Sequence, residues 1–260
     1  MLPTLKIAAL LGGLAIAFFA GRAFLHSAPS SALTLTGPAK GFAVVELFTS
    51  EGCSSCPPAD ELVARIGTED KDQPVYILAF HVDYWDRQGW KDAFSDARYS
   101  QRQNRYASWL NLQSVYTPQI VVNGRKEFVG SQESTLRNAI NAGLQQAPSA
   151  QLTLGDVRLD QGKVQWQYQV QNAAANSSLI VALVQRSATT DVKAGENSGR
   201  TLSHVQIVRK LSGTPLGTAT SGTGSLTLPP GSDPKTEELI AFIQRDDNGQ
   251  IVAATGAAIP

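Results

Sequence analysis

The stretch VVELFTSEGCSSCPPADELV, residues 44–63, decides how this chain is read. An apolar, β-branched run over 43–48 has the pattern of a buried strand. Thr49-Ser50-Glu51-Gly52 interrupts it as a turn, and two cysteines follow, Cys53 and Cys56. Pro57-Pro58 then leads into ADELVARIG, where Leu62, Val63 and Ile66 recur at helical spacing and Gly67 supplies a stop. The order is strand, turn, cysteine pair, helix.

Working outward, Pro74 opens VYILAF (75–80), a second buried strand by its length and flanks. A polar and aromatic segment from His81 to Trp90 follows, then a helix around 95–110. Tyr116-Thr117-Pro118 precedes QIVV (119–122), Asn123-Gly124 and RKEFV (125–129). Asn-Gly between two β-like runs is a strong hairpin signal. Gln132 to Gln146 reads as a helix with Leu136, Ile140 and Leu144 on one face, ended by Pro148. The series β-(CxxC)-α-β-α-β-β-α predicts an α/β sheet with parallel strands joined by crossover helices and an antiparallel edge hairpin. From Ala150 the texture changes to alternating segments such as VQWQYQV and HVQIVRKL with Gly-, Asn- and Ser-rich breaks. That pattern predicts an all-β, sandwich-like C-terminal domain over 150–260 behind an α/β domain over 41–148.

At the other end, Ile7–Ala20 is an uncharged apolar run preceded by Lys6 and closed by Gly21-Arg22. Residues 1–25 read as a signal peptide or an N-terminal membrane anchor, and 26–40 as a linker. The bulk of the chain is therefore expected to be exported, periplasmic or secreted, either free or tethered to the inner membrane by residues 1–25, in a compartment where disulfides persist.

The chain has 260 residues, 22 basic against 22 acidic, and 42% hydrophobic residues. This balance offers no broad basic surface for phosphates, so nucleic-acid binding is not expected. It also excludes disorder, collagen and coiled coil. Only two cysteines occur, so thiol chemistry is confined to Cys53 and Cys56. At a helix start, unpaired N–H groups and partial positive charge stabilise a thiolate on the first cysteine, and the second is placed to resolve a mixed disulfide. Cys53 is accordingly read as nucleophile and Cys56 as resolving thiol. A permanent disulfide is the alternative, although so short a loop removes little chain entropy. Metal binding is a third reading, with Cys53, Cys56 and His81, joined by Asp83, offering a mixed donor set for copper or zinc. Only three histidines occur, at 26, 81 and 204, which disfavours a closed zinc site.

Thr117-Pro118 stands where a thioredoxin-like fold carries its cis-proline loop, a backbone surface for an extended substrate. Glu46, an acid in mid-strand, is the sequence candidate for a buried proton relay beneath Cys56, or else faces solvent on an edge strand. His81 and Asp83 follow the second strand and could border the thiols. Tyr84, Trp85 and Trp90 could line a peptide groove or serve as core. Arg102, Gln103, Arg105 and Tyr106 most simply form a solvated helix face. Glu51, two residues before Cys53, would disfavour a thiolate if close. The segment GENSGR (195–200) reads as a polar loop entering a strand, with a ligand or interdomain role or else that of an ordinary hairpin loop.

Four segments, VVELFTSEGCSSCPPADELV, FHVDYWDRQGW, YTPQIVVNG and GENSGRTLSHVQIVRKL, together resemble the bacterial family known as domain of unknown function 1223. That resemblance implies an exported protein with a thioredoxin-like N-terminal half and a β-rich C-terminal half. It carries the family's cysteine pair onto Cys53 and Cys56 and the thioredoxin-like proline onto Pro118. Ser-Ser between the cysteines and Pro-Pro after them depart from the Gly-Pro of thioredoxin, and such neighbours tune thiolate stability. The expected activity is thiol–disulfide exchange on a protein substrate, served by a separate thiol redox partner. No cofactor is required, since the sequence holds no dinucleotide fingerprint or P-loop. The competing expectations are a copper- or zinc-binding chaperone and a non-catalytic partner-binding module.

Overall fold

The structure, a computed structural model, describes residues 41–260. The expectations for residues 1–25 and 26–40, signal or anchor and linker, fall outside the described residues. Within them no helix is long and apolar enough to cross a membrane.

The first half follows the sequence pattern closely. Strand β1 (Ala43–Thr49), helix α1 (Pro57–Glu69), strand β2 (Val75–His81), helix α2 (Ala97–Leu110), strands β3 (Gln119–Val122) and β4 (Lys126–Val129) and helix α3 (Glu133–Gln145) occur in that order. Asn123 and Gly124 both adopt positive φ, as a tight hairpin turn of the primed type requires, and so join β3 to β4. Strand β1 runs parallel to β2 and antiparallel to β3.

The second half contributes β5 (Gln151–Asp160), β6 (Lys163–Gln171), β7 (Ser177–Asp191), β8 (Thr201–Pro215), β9 (Ser221–Thr227), β10 (Glu237–Arg245) and β11 (Ile251–Ala258). These strands do not stand apart as a closed all-β sandwich. The large sheet runs β11-β10-β7-β8-β2-β1-β3-β4, so β8 continues the sheet of the first half through a parallel pairing at Ala79 and Ile207. Only β5, β6 and β9 form a second, three-stranded sheet. The fold is a mixed α/β architecture with one eight-stranded and one three-stranded sheet. The strand at which the two halves join is set by a single ladder contact between residues far apart in sequence, for which local periodicity carries no signal.

Alternation along the strands sorts the core into faces. On β1, Val45 and Leu47 pack with Leu62, Val63 and Ile66 of α1 and with Leu136 and Ile140 of α3. Val44 and Phe48, on the opposite face, join Tyr99 and Tyr106 of α2, and the same layer continues through Val184, Val208 and Phe242. At the other end of the sheet, Val181, Leu183, Leu239 and Ala241 pack against Trp166, Tyr168 and Leu226 of the small sheet. One face is thus organised around α2; the other carries α1 and α3 at one end and the three-stranded sheet at the other.

Candidate functional site

Cys53 and Cys56 form a disulfide at the start of α1. Cys56 occupies the residue before the first helical position, Pro57 fills that position, and the Cys56 carbonyl accepts the N–H groups of Ala59 and Asp60. Proline suits this place because its missing N–H would be unsatisfied there in any case. The turn before it is held by Cys53 N–H donating to the Ser50 carbonyl and Cys56 N–H to the Cys53 carbonyl. Gly52 is needed for close approach: a Cβ there would lie 3.2 Å from the Cβ of Trp85. Ser54 and Ser55 are exposed, yet Cys53 and Cys56 are both fully buried.

Beneath the pair lies a buried group of acids and histidines. Asp60 is one helical turn beyond Cys56, and side chains on a helix lean toward its N-terminus, so its carboxylate lies on the face that carries Cys56. It accepts a hydrogen bond from Thr49 Oγ1 at 3.0 Å. Burial pushes Asp60 up to about 6, against the opposing pull of His81, His204 and the Thr49 hydroxyl. His81, the last residue of β2, places Nδ1 2.7 Å from Asp92 Oδ2. Its burial would lower its affinity for a proton, but the Asp92 carboxylate outweighs that and raises it. Asp92 is itself held low: burial pushes it up, and the His81 charge and hydrogen bond, with the N–H groups of Glu51 and Phe94, more than compensate.

Glu51 accepts from Trp90 Nε1 at 2.7 Å and lies 3.3 Å from His204 Nε2. Burial opposes its ionisation, and these two neighbours restore it to below the ordinary value. The rings of His81 and His204 have centroids 5.0 Å apart. Glu51 Oε1 and His204 Nε2 face each other outside hydrogen-bond geometry, and His81 Nε2 and His204 Nδ1 are buried with no hydrogen-bond partner, a concentration of poorly satisfied polar atoms of the kind associated with functional sites. A cleft of about 180 Å³ between α1 and β8, lined by Pro57, Asp60, Glu61, Arg200, Ser203 and His204, leads from solvent to this group.

Thr117 and Pro118 are linked to the cysteine turn through Trp85, which packs against Gly52. Their peptide bond is cis, the Pro118 carbonyl accepts from Gly130 N–H at 2.9 Å, and Thr117 Oγ1 accepts from Trp85 Nε1 at 2.7 Å. Gly130 allows the β4–α3 junction to press on both α1 and the proline: a Cβ there would lie 2.9 Å from Ala59 Cβ and 3.0 Å from Pro118 Cβ.

Other candidates sit elsewhere. Glu46 is fully buried, but its carboxylate faces α2, away from α1 and the cysteines, because it shares a strand face with Val44 and Phe48. Arg102 holds it through two nitrogens, and Tyr106 donates to it as well. The relay expected of Glu46 beneath Cys56 therefore has no geometric basis, and the acid near Cys56 is Asp60. Arg102, Gln103 and Tyr106, expected on a solvated face, are buried instead; α2 turns them onto the sheet because Glu46 and Gln244 supply a polar lining there. Asp83 is tied to Ser100 on α2, and Tyr84 donates to Gln103. Among the described residues, no group of three or more His, Cys, Asp and Glu side chains is arranged to hold a metal ion, so Cys53, Cys56 and His81 do not assemble as a ligand set. Asp60 could have been found from its four-residue spacing to Cys56. Asp92 and Asn197 lie in loops that carry no such period.

The last component comes from the tip of the β7–β8 hairpin. Asn197 Nδ2 donates to the carbonyl oxygens of Glu51 at 2.9 Å and Cys53 at 3.0 Å. Glu196 Oε2 accepts from Ser54 N–H at 3.0 Å. The segment read as a polar loop at 195–200 thus closes over the cysteine turn.

The chain is similar to a protein from Agrobacterium tumefaciens whose crystal structure was solved by a structural genomics consortium: 28% identity over 85% of this chain and 95% of that one, with a TM-score of 0.64. A domain of the outer membrane lipoprotein Omp28 from Porphyromonas gingivalis overlaps 43% of this chain and 95% of its own length at 11% identity, with a TM-score of 0.27 that supports no argument. No curated protein matches the chain. Residues 44–244, which include the cysteine turn, the buried acids and histidines and the hairpin tip, match the family described as a protein of unknown function, and the chain belongs to that family, DUF1223.

Proposed function

We propose that this protein is an exported thiol–disulfide oxidoreductase with a thioredoxin-like first half, in which Cys53 exchanges with a substrate disulfide or thiol and Cys56 resolves the mixed disulfide. The carrying observation is the Cys53–Cys56 disulfide at the N-terminus of α1, one turn from the buried carboxyl of Asp60. The strand order β2-β1-β3-β4, with β1 and β2 parallel, supports the thioredoxin-like reading, as does the link from the cysteine turn through Trp85 to Thr117 and its Pro118 neighbour.

The chemistry follows from the placement. The unpaired N–H groups at the start of α1 favour a thiolate on the cysteine that initiates exchange. When a disulfide involving Cys56 opens, the departing sulfur, itself buried, needs a proton. Asp60, raised to about 6, carries that proton in its neutral form and is recharged from solvent through the cleft it shares with His204. Electrons pass to or from a separate thiol protein. Export, with residues 1–25 as a signal peptide or a tether, belongs to the same proposal, since a disulfide of this kind persists in an oxidising compartment.

The full burial of both cysteines favours a second reading, a structural disulfide in a non-catalytic module. Turnover of insulin disulfides separates the two. Cys53→Ser and Cys56→Ser are each expected to lower the rate at least a hundredfold; variants as fast as the wild type would remove the catalytic reading.

A further inference from the structure

Cys53 and Cys56 are sealed, while Ser54 and Ser55 between them remain open to solvent. The β7–β8 tip reaches the backbone on either side of Cys53. The hairpin tip is stiffened by Val192 N–H donating to the Arg200 carbonyl, Gly199 N–H to the Val192 carbonyl and Ser198 N–H to the Gly195 carbonyl. Gly195, at φ +74°, brings the backbone against Trp90: a Cβ there would lie 3.2 Å from Trp90 Cβ. Arg200 Nη1 donates to Asn197 Oδ1 at 2.9 Å, which aims the amide nitrogen of Asn197 at the Glu51 and Cys53 carbonyls. Asn197 is buried, whereas Glu196, which receives Ser54 N–H, is exposed.

The two side chains therefore occupy the polar backbone groups on either side of Cys53, an acceptor before and at the cysteine and a donor just after it. We infer that Asn197 and Glu196 are gating residues that control access to the Cys53–Cys56 pair, by latching the β7–β8 tip over it. The inference rests on the thiol–disulfide reading of the pair. Its energetic content is a closed and an open state, with exchange proceeding only from the open one, so that the observed rate is the intrinsic rate multiplied by the open fraction.

With dithiothreitol the gated reaction is fully specified. One thiolate of the reagent attacks a sulfur of the pair, the Cys53–Cys56 bond breaks, and the departing sulfur takes a proton. The second reagent thiol then attacks the mixed disulfide and releases the other cysteine. The reagent leaves as a cyclic disulfide, and its two protons end on the two cysteines.

The test measures, on the full chain, the forward and reverse rates with dithiothreitol and their equilibrium constant. Asn197→Ala removes two donors and is expected to speed both directions by about tenfold, the worth of roughly one net hydrogen bond or more. Glu196→Ala is expected to give about threefold, and Glu196→Gln, which keeps an acceptor for Ser54 N–H, wild-type rates. The equilibrium constant should stay unchanged throughout, because a latch acts on access to both redox states. Unchanged rates in Asn197→Ala and Glu196→Ala, or a change confined to one direction, would overturn the inference. If Asn197→Ala does not fold, the exposed Glu196 pair carries the test. Alkylation of the chemically reduced protein by iodoacetamide reads access without any redox activity. Acceleration there in a protein inert toward disulfide substrates would retain the latch and reject the proposed function.

Discussion

Asp60 is buried and raised to about 6, so it holds a proton in the folded chain at pH values where the unfolded chain has released it. Its contribution to stability is present below about pH 4, the ordinary aspartate range, and is lost as pH rises through about 6. Above that, the ionised carboxylate weighs against the fold by up to about 3 kcal/mol, from roughly two pH units at about 1.4 kcal/mol each. Asp60→Asn, which still accepts from Thr49, is therefore expected to raise stability at pH 8 and to change it little at pH 4, as urea unfolding at the two pH values would show. An equal effect at both would contradict the assignment. His81 has the opposite lever: its proton affinity is raised by Asp92, so its contribution is fully present below its ordinary 6.5 and fades as pH climbs through the higher folded value. His81→Gln should accordingly destabilise more at pH 5.5 than at pH 9 in the same unfolding experiment.

Helix α2 shows how far a residue pattern can mislead about an element. Arg102 is buried against the rings of Phe80, Tyr106 and Phe242 and binds Glu46 and Gln244, so its charge is matched inside the sheet layer rather than in water. Removing one partner leaves the other as an uncompensated buried charge, for which losses of about 3–5 kcal/mol are usual. Arg102→Met is expected to destabilise by that amount, and the double variant Glu46→Gln with Arg102→Met by much less; chemical denaturation of the two distinguishes a buried pair from a surface one. The elements whose period is carried by apolar side chains, β1, α1, β2, β3 and α3, are legible within a few residues because period and punctuation agree. Asn123-Gly124 was legible because few residue pairs tolerate two positive φ values. What periodicity cannot show is polar matching across elements: Glu46 with Arg102, His81 with Asp92, His204 with Glu51. Each joins residues on different elements, and a charged residue in mid-helix reads as solvated until its partner is placed. Hence Cys53, Cys56 and Pro118 could be picked out as candidates, Asp60 is recoverable from its spacing, the 195–200 loop could be singled out though not Asn197 within it, and Asp92 could not.

At the scale of the molecule, residues 41–148 do not complete their own core. The edge of β2 pairs with β8, and the layer over α2 includes Ile180, Val184, Val208, Ile240 and Phe242 from beyond residue 148. A chain ending at Pro148 would expose that layer and the edge of β2, and it is expected to lack a cooperative thermal transition; a sharp transition near that of the full chain would show the first half to be self-sufficient. The same continuity brings the hairpin tip and His204 to the cysteines, so the site is a property of both halves. Whether that site exchanges disulfides is decided most directly by the reduction potential of the Cys53–Cys56 couple, measured by equilibration with glutathione and thiol counting. The account expects a value between about −120 and −270 mV, where thiol–disulfide oxidoreductases lie, and a value below roughly −300 mV would make the bond a structural one and contradict it.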